Sequence, residues 1–470
     1  MMRKIILLLF FSVTVESSIH AQQWFPLEGG LSGLNAQSDK VTALCTDSVH
    51  HVLFVAGSFQ YANDTTLVKS IAKWDGANWS ALITHDSNGV YNGFSGPVLI
   101  SALAIFHARL FIALNSSLGN VMVSCSIDSF DVAILGVFND DINSISVFND
   151  SLIVGGAFTQ WKTYYTSSTW YNASGIVKWE GGAQWQQVGG GISVGGFSEV
   201  NALCVHHNKL YAAGIFETAG GTYCKNIACW NDTSWSAVGS GIGFSGQFDC
   251  ILHALVSYKN KLYAGGDFYM SDGYFANGLG MWNDTTWSAT GVNATAVYAL
   301  KVHGNKLYFG SDGSSLGTWL WDRVTCYDDS VWLSTGTGPT GDVLALEVFN
   351  NDLYAGGVFE TIDSITNAGF IARYDPTIIQ DTTTIVEVKQ KISAIKIYPN
   401  PAQSSISIEA AHGKTVNQVT VTDVLGRIIY EQQTNSQLSI INCQLFPAGV
   451  YFIKVQMQNG SVVVKKFVKE

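Results

Sequence analysis

Five aromatic side chains lie close together between Thr159 and Gly175, and they are the residues of this sequence best suited to hold a ligand. They are Trp161, Tyr164, Tyr165, Trp170 and Tyr171. Aromatic faces suit sugar rings and apolar side chains because they offer a large contact area at little cost in rotamer freedom. The segment therefore predicts a binding site for a glycan or a protein. The alternative interpretation is a loop that packs on its neighbours.

Most motifs typical of catalysis or of metal binding are absent from the sequence. It contains no HExxH, phosphate-binding loop, EF-hand or CxxC spacing. His207 falls at a predicted turn. His206 and His303 take a position that is aromatic in other parts of the chain, at Phe106, Phe148, Tyr258 and Phe349. We therefore expect no catalytic residue, no metal ligand and no cofactor.

The eight cysteines are even in number, which would permit disulfides in an exported protein. They are scattered along the chain, and their pairing stays open. Cys45 and Cys204 fall at equivalent places, which favours small buried apolar residues over a thiol site.

A repeated unit must position these residues. Leu262 to Phe268 reads LYAGGDF, and related runs start at Leu53, Leu110, Leu152, Leu210, Leu307 and Leu353. A period near 50 residues with short alternating strands and glycine-rich turns is typical of propeller blades. Each unit predicts four strands, and the paired glycines of the second strand indicate crowding by a neighbouring backbone. We expect the N-terminal strand at Trp24 to complete the last unit, so that the ring has no free edge.

The third and fourth strands of a unit carry an aromatic pair. Burying a tryptophan removes about 150 to 250 Å² of surface from water, so regular tryptophans are better explained as core between blades than as ligand platforms. The pairs are Trp74 and Trp79, Trp179 and Trp185, Trp230 and Trp235, Trp282 and Trp287, and Tyr327 and Trp332.

The glycine doublet followed by aromatics at fixed offsets resembles the kelch repeat and the galactose-oxidase-like propellers, over roughly residues 24–379. The resemblance implies a seven-bladed β-propeller with four-stranded blades. The second and sixth units depart from the pattern: Ile127 and Val132 replace one aromatic pair, and Gly310-Ser311 replaces one doublet. The copper ligands of galactose oxidase have no counterparts here, so its activity is not implied.

The two ends of the chain predict export. Residues 1–21 combine Arg3 and Lys4 with an apolar run and are typical of a signal peptide, too short to remain as a membrane span. The propeller would cover residues 23–379 and a linker residues 380–394. Residues 395–470 alternate as short strands, which predicts a small Ig-like β-sandwich.

That C-terminal region closely resembles the type IX secretion sorting domain of Bacteroidota, including its basic tail. The resemblance implies handling by the type IX secretion machinery after passage through the periplasm, and release or attachment at the cell surface. The residues that carry it are Tyr398, Pro399, Asn400, Pro401, Asp423, Gly426, Arg427, Gly449, Tyr451, Lys465 and Lys466.

The net charge of −11 makes nucleic acid a poor partner. With no catalytic set, the sequence favours a secreted or surface-exposed propeller that binds glycan or protein without catalysis. The alternatives are a secreted polysaccharide-active enzyme with its site on the loop face of the propeller, and a structural surface protein.

Overall fold

The computed structural model describes residues 24–375 and 395–469, with internal gaps. The predicted signal peptide and linker, and Gly426 of the sorting signal, lie outside the described residues. The gaps are residues 34–38, 83–97, 118, 128–130, 183, 194–197, 244–249, 269, 272–273, 276–277, 293, 314–322, 329–331, 337, 363–364, 367, 411–414, 424–426 and 459–461.

The chain divides into two compact units, Met1–Ile379 and Gln380–Glu470. Where the structure describes the chain, its regular elements are all β-strands, which confirms the predicted all-β class.

Among its described residues, the first unit has seven antiparallel sheets of at least four strands, named I to VII, and strands are numbered in chain order. Sheet I has β3 (Lys40–Asp47), β4 (Val52–Ser58), β7 (Ile71–Trp74) and β8 (Trp79–Ala81); sheet II has β9 (Leu99–Phe106), β10 (Arg109–Asn115), β11 (Asn120–Ser126) and β12 (Val132–Phe138), extended by β15 (Gln160–Lys162) and β16 (Tyr171–Asn172); sheet III has β13 (Ile142–Phe148), β14 (Ser151–Gly156), β17 (Ile176–Trp179) and β18 (Gln186–Gln187). Sheet IV has β20 (Glu199–His206), β21 (Lys209–Ile215), β24 (Ile227–Trp230) and β25 (Trp235–Ala237); sheet V has β26 (Ile251–Tyr258), β27 (Lys261–Asp267), β30 (Leu279–Trp282) and β31 (Trp287–Ala289); sheet VI has β32 (Val297–His303), β33 (Lys306–Ser311), β34 (Val324–Tyr327) and β35 (Trp332–Ser334); sheet VII has β36 (Asp342–Phe349), β37 (Asp352–Val358), β40 (Ile371–Tyr374) and β1 (Trp24–Pro26).

Small sheets of two-residue strands lie in the connections. They are β2 (Leu31–Ser32) with β5 (Tyr61–Ala62) and β6 (Thr66–Leu67), β19 (Ile192–Ser193) with β22 (Thr218–Ala219) and β23 (Thr222–Tyr223), β28 (Met270–Ser271) with β29 (Tyr274–Phe275), and β38 (Thr361–Ile362) with β39 (Ile365–Thr366).

The turns between the first and second strands have the conformation expected from their residues. Both central residues have a positive φ at His207-Asn208, Lys259-Asn260 and Asn350-Asn351. Two consecutive residues with positive φ match the right-handed twist of a hairpin, and asparagine tolerates this conformation well. The first and second strands of these sheets are therefore joined by two-residue hairpins.

The glycine doublet serves two contacts, as sheet V illustrates. A Cβ at Gly265 would lie 2.7 Å from Cγ1 of Val297, on the first strand of sheet VI. A Cβ at Gly266 would lie 2.2 Å from the carbonyl oxygen of Ile251, where β26 carries a bulge. The first glycine thus leaves room for the first strand of the next sheet, and the second leaves room for the first strand of its own sheet.

The aromatic pairs tie the sheets together. Trp282 lies directly opposite Trp287 in the register of sheet V, with ring centroids 5.4 Å apart. In six sheets the fourth-strand tryptophan also donates its indole N–H to a carbonyl on or just beyond the fourth strand of another sheet. These bonds are Trp24 to Thr335 (3.0 Å), Trp79 to Glu28 (3.0 Å), Trp185 to Leu135 (2.8 Å), Trp235 to Val188 (3.2 Å), Trp287 to Val238 (2.9 Å) and Trp332 to Thr290 (3.0 Å).

The N-terminal strand completes sheet VII, as predicted. In β1, Trp24 pairs with Tyr374 and Pro26 with Ala372 of β40. First strands contact one another from sheet to sheet in chain order, and β36 of sheet VII contacts β3 of sheet I. Sheets VII and I are also joined by a hydrogen bond from Thr46 Oγ1 to the carbonyl of Val348 (2.8 Å).

The second unit consists of two antiparallel sheets around one core. One sheet has β41 (Ile395–Tyr398), β42 (Ser405–Ala410) and β45 (Leu438–Asn442); the other has β44 (Ile428–Ser436), β43 (Val416–Asp423), β46 (Gly449–Met457) and β47 (Val462–Lys469). Alternating residues such as Ile406, Ile408, Val419, Val421 and Ile453 are fully buried between them.

Candidate ligand-binding site

The aromatic segment forms a hairpin that extends sheet II. Strands β15 and β16, here called the arm, leave sheet III and pair along β12, where Phe138 lies opposite Trp161. The base of the arm is fixed by Asn139, whose side-chain oxygen accepts the backbone N–H groups of Thr159 (2.9 Å) and Gln160 (2.8 Å). The arm is therefore attached to the sheet by both backbone and side-chain hydrogen bonds.

The arm places its five aromatics in two environments. Trp161 is only 2 % exposed and packs in the core beside Phe138 and Trp185. Tyr171 stacks on Trp161 with ring centroids 4.8 Å apart and covers it from solvent. The faces of Trp161 are thus engaged in packing, whereas the other four aromatics are exposed.

Tyr164, Tyr165, Trp170 and Tyr171 are between 38 % and 55 % exposed. Lys162 lies among them: its ammonium is 4.8 Å from the Trp170 ring centroid and donates to the carbonyl of Tyr165 (2.9 Å). Tyr165 rests against Gly119 in the turn between β10 and β11, and burial raises the pKa of its phenol. The result is an exposed aromatic surface with one central cation, on a support held by hydrogen bonds.

A second group of polar residues lies along the first strands of the sheets. Asn143 donates to Asn201 between sheets III and IV (2.8 Å), and the His253 and Tyr298 rings are 5.1 Å apart between sheets V and VI. Burial lowers the pKa of His253 to about 4. Burial, followed by the charge of Asp342, raises the pKa of Tyr298. His253 is therefore a neutral imidazole at physiological pH, next to a protonated phenol.

Acidic groups lie at the start of the first strands of sheets III and IV. Burial raises the pKa of both Asp141 and Glu199, and the charge of Asp140 raises both further.

Two histidines and an aspartate converge where sheets IV and V meet. His206 ends β20, His207 follows it in the turn, and Asp284 lies in the turn between β30 and β31. His206 Nε2 is 3.4 Å from Asp284 Oδ1, and His207 Nδ1 is 2.9 Å from Asp284 Oδ2. Burial, and then His207, lower the pKa of His206.

No local sequence pattern links these three residues, and the expectation of no metal ligand left them out. The local signal was the pair of adjacent histidines at a turn that elsewhere reads Phe148-Asn149 or Phe349-Asn350. Asp284 belongs to another repeat, so only the contact between two sheets could connect the three residues.

The eight cysteines are all free thiols in the structure. Cys45 and Cys204 lie within β3 and β20 and are partly buried, in agreement with a packing role. Burial raises the pKa of Cys45 to about 12 and that of Cys204 to about 11, so neither is a reactive thiolate at neutral pH.

The residues of the predicted sorting signal stabilise the strands of the second unit. Asn400 accepts the N–H of Val468 (2.9 Å) and donates to the carbonyl of Lys466 (3.3 Å), which fixes β47. Tyr451 is buried, stacks on Phe467 at 5.4 Å and donates to the carbonyl of Pro447 (2.8 Å).

The remaining described residues of that signal lie at turns and on the surface. Arg427 donates to Asp423 (2.7 Å) across the turn from β43 to β44, and a Cβ at Gly449 would meet open space. Lys465 and Lys466 are exposed on β47, while Tyr398 is 44 % exposed. The peptide bonds that precede Pro399 and Pro401 are cis.

Residues 396–470 match the family described as "Secretion system C-terminal sorting domain". This region is a type IX secretion sorting domain. The protein is therefore exported by that system to the cell surface or the extracellular space. No helix in the described part of the chain is long and apolar enough to cross a membrane.

Two curated relatives match short parts of the chain. Ulvan lyase NLR42 of Nonlabens ulvanivorans is 29 % identical over 110 residues, which are 23 % of this chain and 20 % of that protein. An endo-acting ulvan lyase of Formosa agariphila is 38 % identical over 79 residues, 16 % of this chain and 15 % of that protein. The matches thus span a fifth or less of each relative's length.

Similarity to solved structures is broad but weak. PorZ, a surface component of the type IX secretion system of Porphyromonas gingivalis, is 12 % identical, with a TM-score of 0.37, over 92 % of this chain and 65 % of PorZ. The computationally designed protein Ika8 is 16 % identical, with a TM-score of 0.40, over 73 % of this chain and 99 % of its own.

Proposed function

We propose that this exported protein is a seven-bladed β-propeller that binds a glycan through the aromatic arm of its second blade. Sheets I to VII would be the blades, with residues 23–379 as the propeller, 380–394 as a linker and 395–470 as an Ig-like sandwich. Support for the ring comes from the indole hydrogen bonds between sheets, from the β36–β3 contact and from completion of sheet VII by β1. The kelch-like glycine and tryptophan pattern agrees with this architecture.

The observation that carries the glycan proposal is the exposure of four aromatic rings on a support that is itself fixed. Asn139 and the β12 ladder hold the base of the arm, and Tyr171 is stacked on buried Trp161. Rings that are already ordered lose little entropy when a sugar stacks on them. The Lys162 ammonium next to Trp170 would favour a sugar that carries a carboxylate or a sulfate.

The test is retention of the purified protein on a glycan array, with Tyr164→Ala and Trp170→Ala combined in one variant. Loss of two stacking faces should reduce retention by about tenfold or more, with a nearly unchanged melting temperature because both rings are exposed. Tyr223→Ala is the matched control, since Tyr223 is 54 % exposed on β23, in the corresponding connection of sheet IV. Retention of the double variant equal to that of the control would refute a glycan site on the arm.

A second candidate function is degradation of a polysaccharide, which the ring pair His253–Tyr298 favours. A neutral imidazole can accept the proton on the carbon next to the uronate carboxyl, and a protonated phenol can donate a proton to the leaving glycosidic oxygen. The C–O bond then breaks as a C=C bond forms in the uronate ring. The short matches to two ulvan lyases agree with this chemistry.

Incubation with ulvan tests the second candidate directly. An enzyme would shorten the polymer, measured by size-exclusion chromatography, and His253→Gln and Tyr298→Phe would each abolish the shortening while binding on the array persists. If the wild-type protein leaves ulvan at its original length, this candidate is rejected for ulvan.

A further inference from the structure

The contact between sheets IV and V carries a second site that is independent of the arm. We infer that His206, His207 and Asp284 bind a divalent transition-metal ion such as Zn²⁺. The site lies at the turns that join first to second and third to fourth strands, so it is at the opposite strand ends from the arm.

His206 provides the main observation. Its side chain is fully buried, and its Nδ1 is 2.8 Å from the hydroxyl of Ser257 on β26. Its other ring nitrogen, Nε2, has no hydrogen-bond partner although it faces Asp284. In the tautomer in which Nδ1 donates to Ser257, Nε2 keeps a lone pair for a cation, and such a second hydrogen bond is how proteins orient a metal-bound imidazole. A cation between Nε2 and the carboxylate would satisfy both.

The three side chains are close to the spacing that a metal requires. Their ligand atoms lie within 4.8 Å of one another, with individual separations of 3.4 Å and 2.9 Å to Asp284. Bonds of about 2.0 to 2.2 Å in tetrahedral geometry place ligands about 3.3 Å apart. His207 and Asp284 have side chains 45 % and 43 % exposed, so both can adjust toward buried His206.

The ligand types select the class of ion. Two imidazoles and one carboxylate suit zinc and its neighbours, whereas calcium and magnesium prefer oxygen ligands throughout. Three protein ligands leave a position open for water or a small anion. His207 and Asp284 border an open cavity of about 330 Å³, which gives that position room.

The preceding pair of sheets lacks the site and supplies a natural control. Phe148 and Asn149 take the places of His206 and His207 there, while Asp232 corresponds to Asp284 with nearly the same φ (78° against 71°). These residues border a similar cavity of about 310 Å³ between sheets III and IV. An aspartate at this turn is thus not sufficient to indicate a metal site. Asp284 differs from Asp232 because two histidines lie beside it.

The experiment is titration of the untagged protein with ZnCl₂ by calorimetry, and with Co²⁺ by visible absorption. Wild type should bind one ion per molecule, and His206→Phe and Asp284→Asn should each weaken binding by about tenfold or more, as loss of a ligand requires. Both variants should fold, because phenylalanine occupies the equivalent position at Phe148 and asparagine tolerates a positive φ. Asp232→Asn should bind as wild type does.

The cobalt spectrum identifies the ligands independently. Bound Co²⁺ should show d–d bands without a thiolate charge-transfer band, and the d–d bands should be lost in His206→Phe. The inference is overturned if wild type shows no saturable Zn²⁺ binding, if His206→Phe or Asp284→Asn binds as tightly as Asp232→Asn, or if the cobalt spectrum shows thiolate ligation.

Discussion

His253 illustrates how burial between two sheets changes the pKa of a single side chain. It lies at the bulge of β26, next to the Tyr298 ring of β32, and burial lowers its pKa from 6.5 to about 4. In the unfolded chain the imidazole regains its ordinary pKa. As the pH falls from 6.5 toward 4, protonation of His253 therefore stabilises the unfolded state and lowers the free energy of unfolding. Above this window the destabilising effect of His253 vanishes.

We predict that His253→Gln removes part of the acid sensitivity of the fold. Wild type should lose about 2 kcal/mol more than the variant between about pH 7 and about pH 5, because the unfolded chain gains a proton that the folded chain excludes. Urea unfolding of both proteins at the two pH values measures the difference. Equal losses in the two proteins would show that His253 titrates normally in the folded state.

Among single residues, the sequence predicted the roles of those that recur at the same place in several repeats. The aromatic pairs recur at fixed offsets, so their core position could be inferred from area alone, and Trp287 is indeed 1 % exposed. Trp161 was beyond such inference because β15 has only three residues, too few for alternation to separate its buried ring from the exposed rings. The His206, His207 and Asp284 group was beyond it because the contact joins different repeats.

Strand β1 joins sheet VII to sheet VI through Trp24. Trp24 is fully buried, packs against Tyr374 with the ring centroids 5.0 Å apart, and donates to both oxygens of Thr335. The sequence predicted this position for two reasons. No aromatic fourth strand follows β40 in the chain, and the residues around Trp24 resemble the fourth strands of the other repeats.

We predict that Trp24→Ala destabilises the first unit by about 3 to 5 kcal/mol, the usual cost of truncating a buried aromatic. Reversible denaturant unfolding measures it. Phe25→Ala on the same strand is the control: Phe25 is partly exposed with Arg373 over its ring, so it should cost about 1 kcal/mol. An effect of Trp24→Ala no larger than that of the control would mean that β1 is not held in sheet VII in solution.

The whole molecule combines two compact units with separate cores. The sorting domain was predictable because its motifs combine fixed residue types in a fixed order. The identity of a ligand was not predictable, because exposed aromatic rings indicate a class of chemistry and not one molecule. Residues such as Asn400 and Tyr451 hold the strands of the second unit, so its sequence pattern reflects folding as well as recognition.

We predict that deletion of residues 393–470 leaves the first unit folded but retained in the periplasm. The clusters that contain the tryptophans draw only on residues before 375, so circular dichroism and the thermal transition of that unit should persist. Cell fractionation gives the location. Efficient appearance of the truncated protein at the cell surface would contradict the role of the sorting domain.

Completion of sheet VII by β1 also constrains the timing of folding. Trp24 hydrogen-bonds to Thr335, 311 residues later in the chain, and pairs with Tyr374 beyond it. Strand β1 thus has its partner only when nearly the whole unit is available to fold. Such distant pairing slows folding because the entropy of closing a long loop is lost before the contact forms. Until then sheet VII lacks its fourth strand, and the unpaired edge of β40 is open to pairing with other chains.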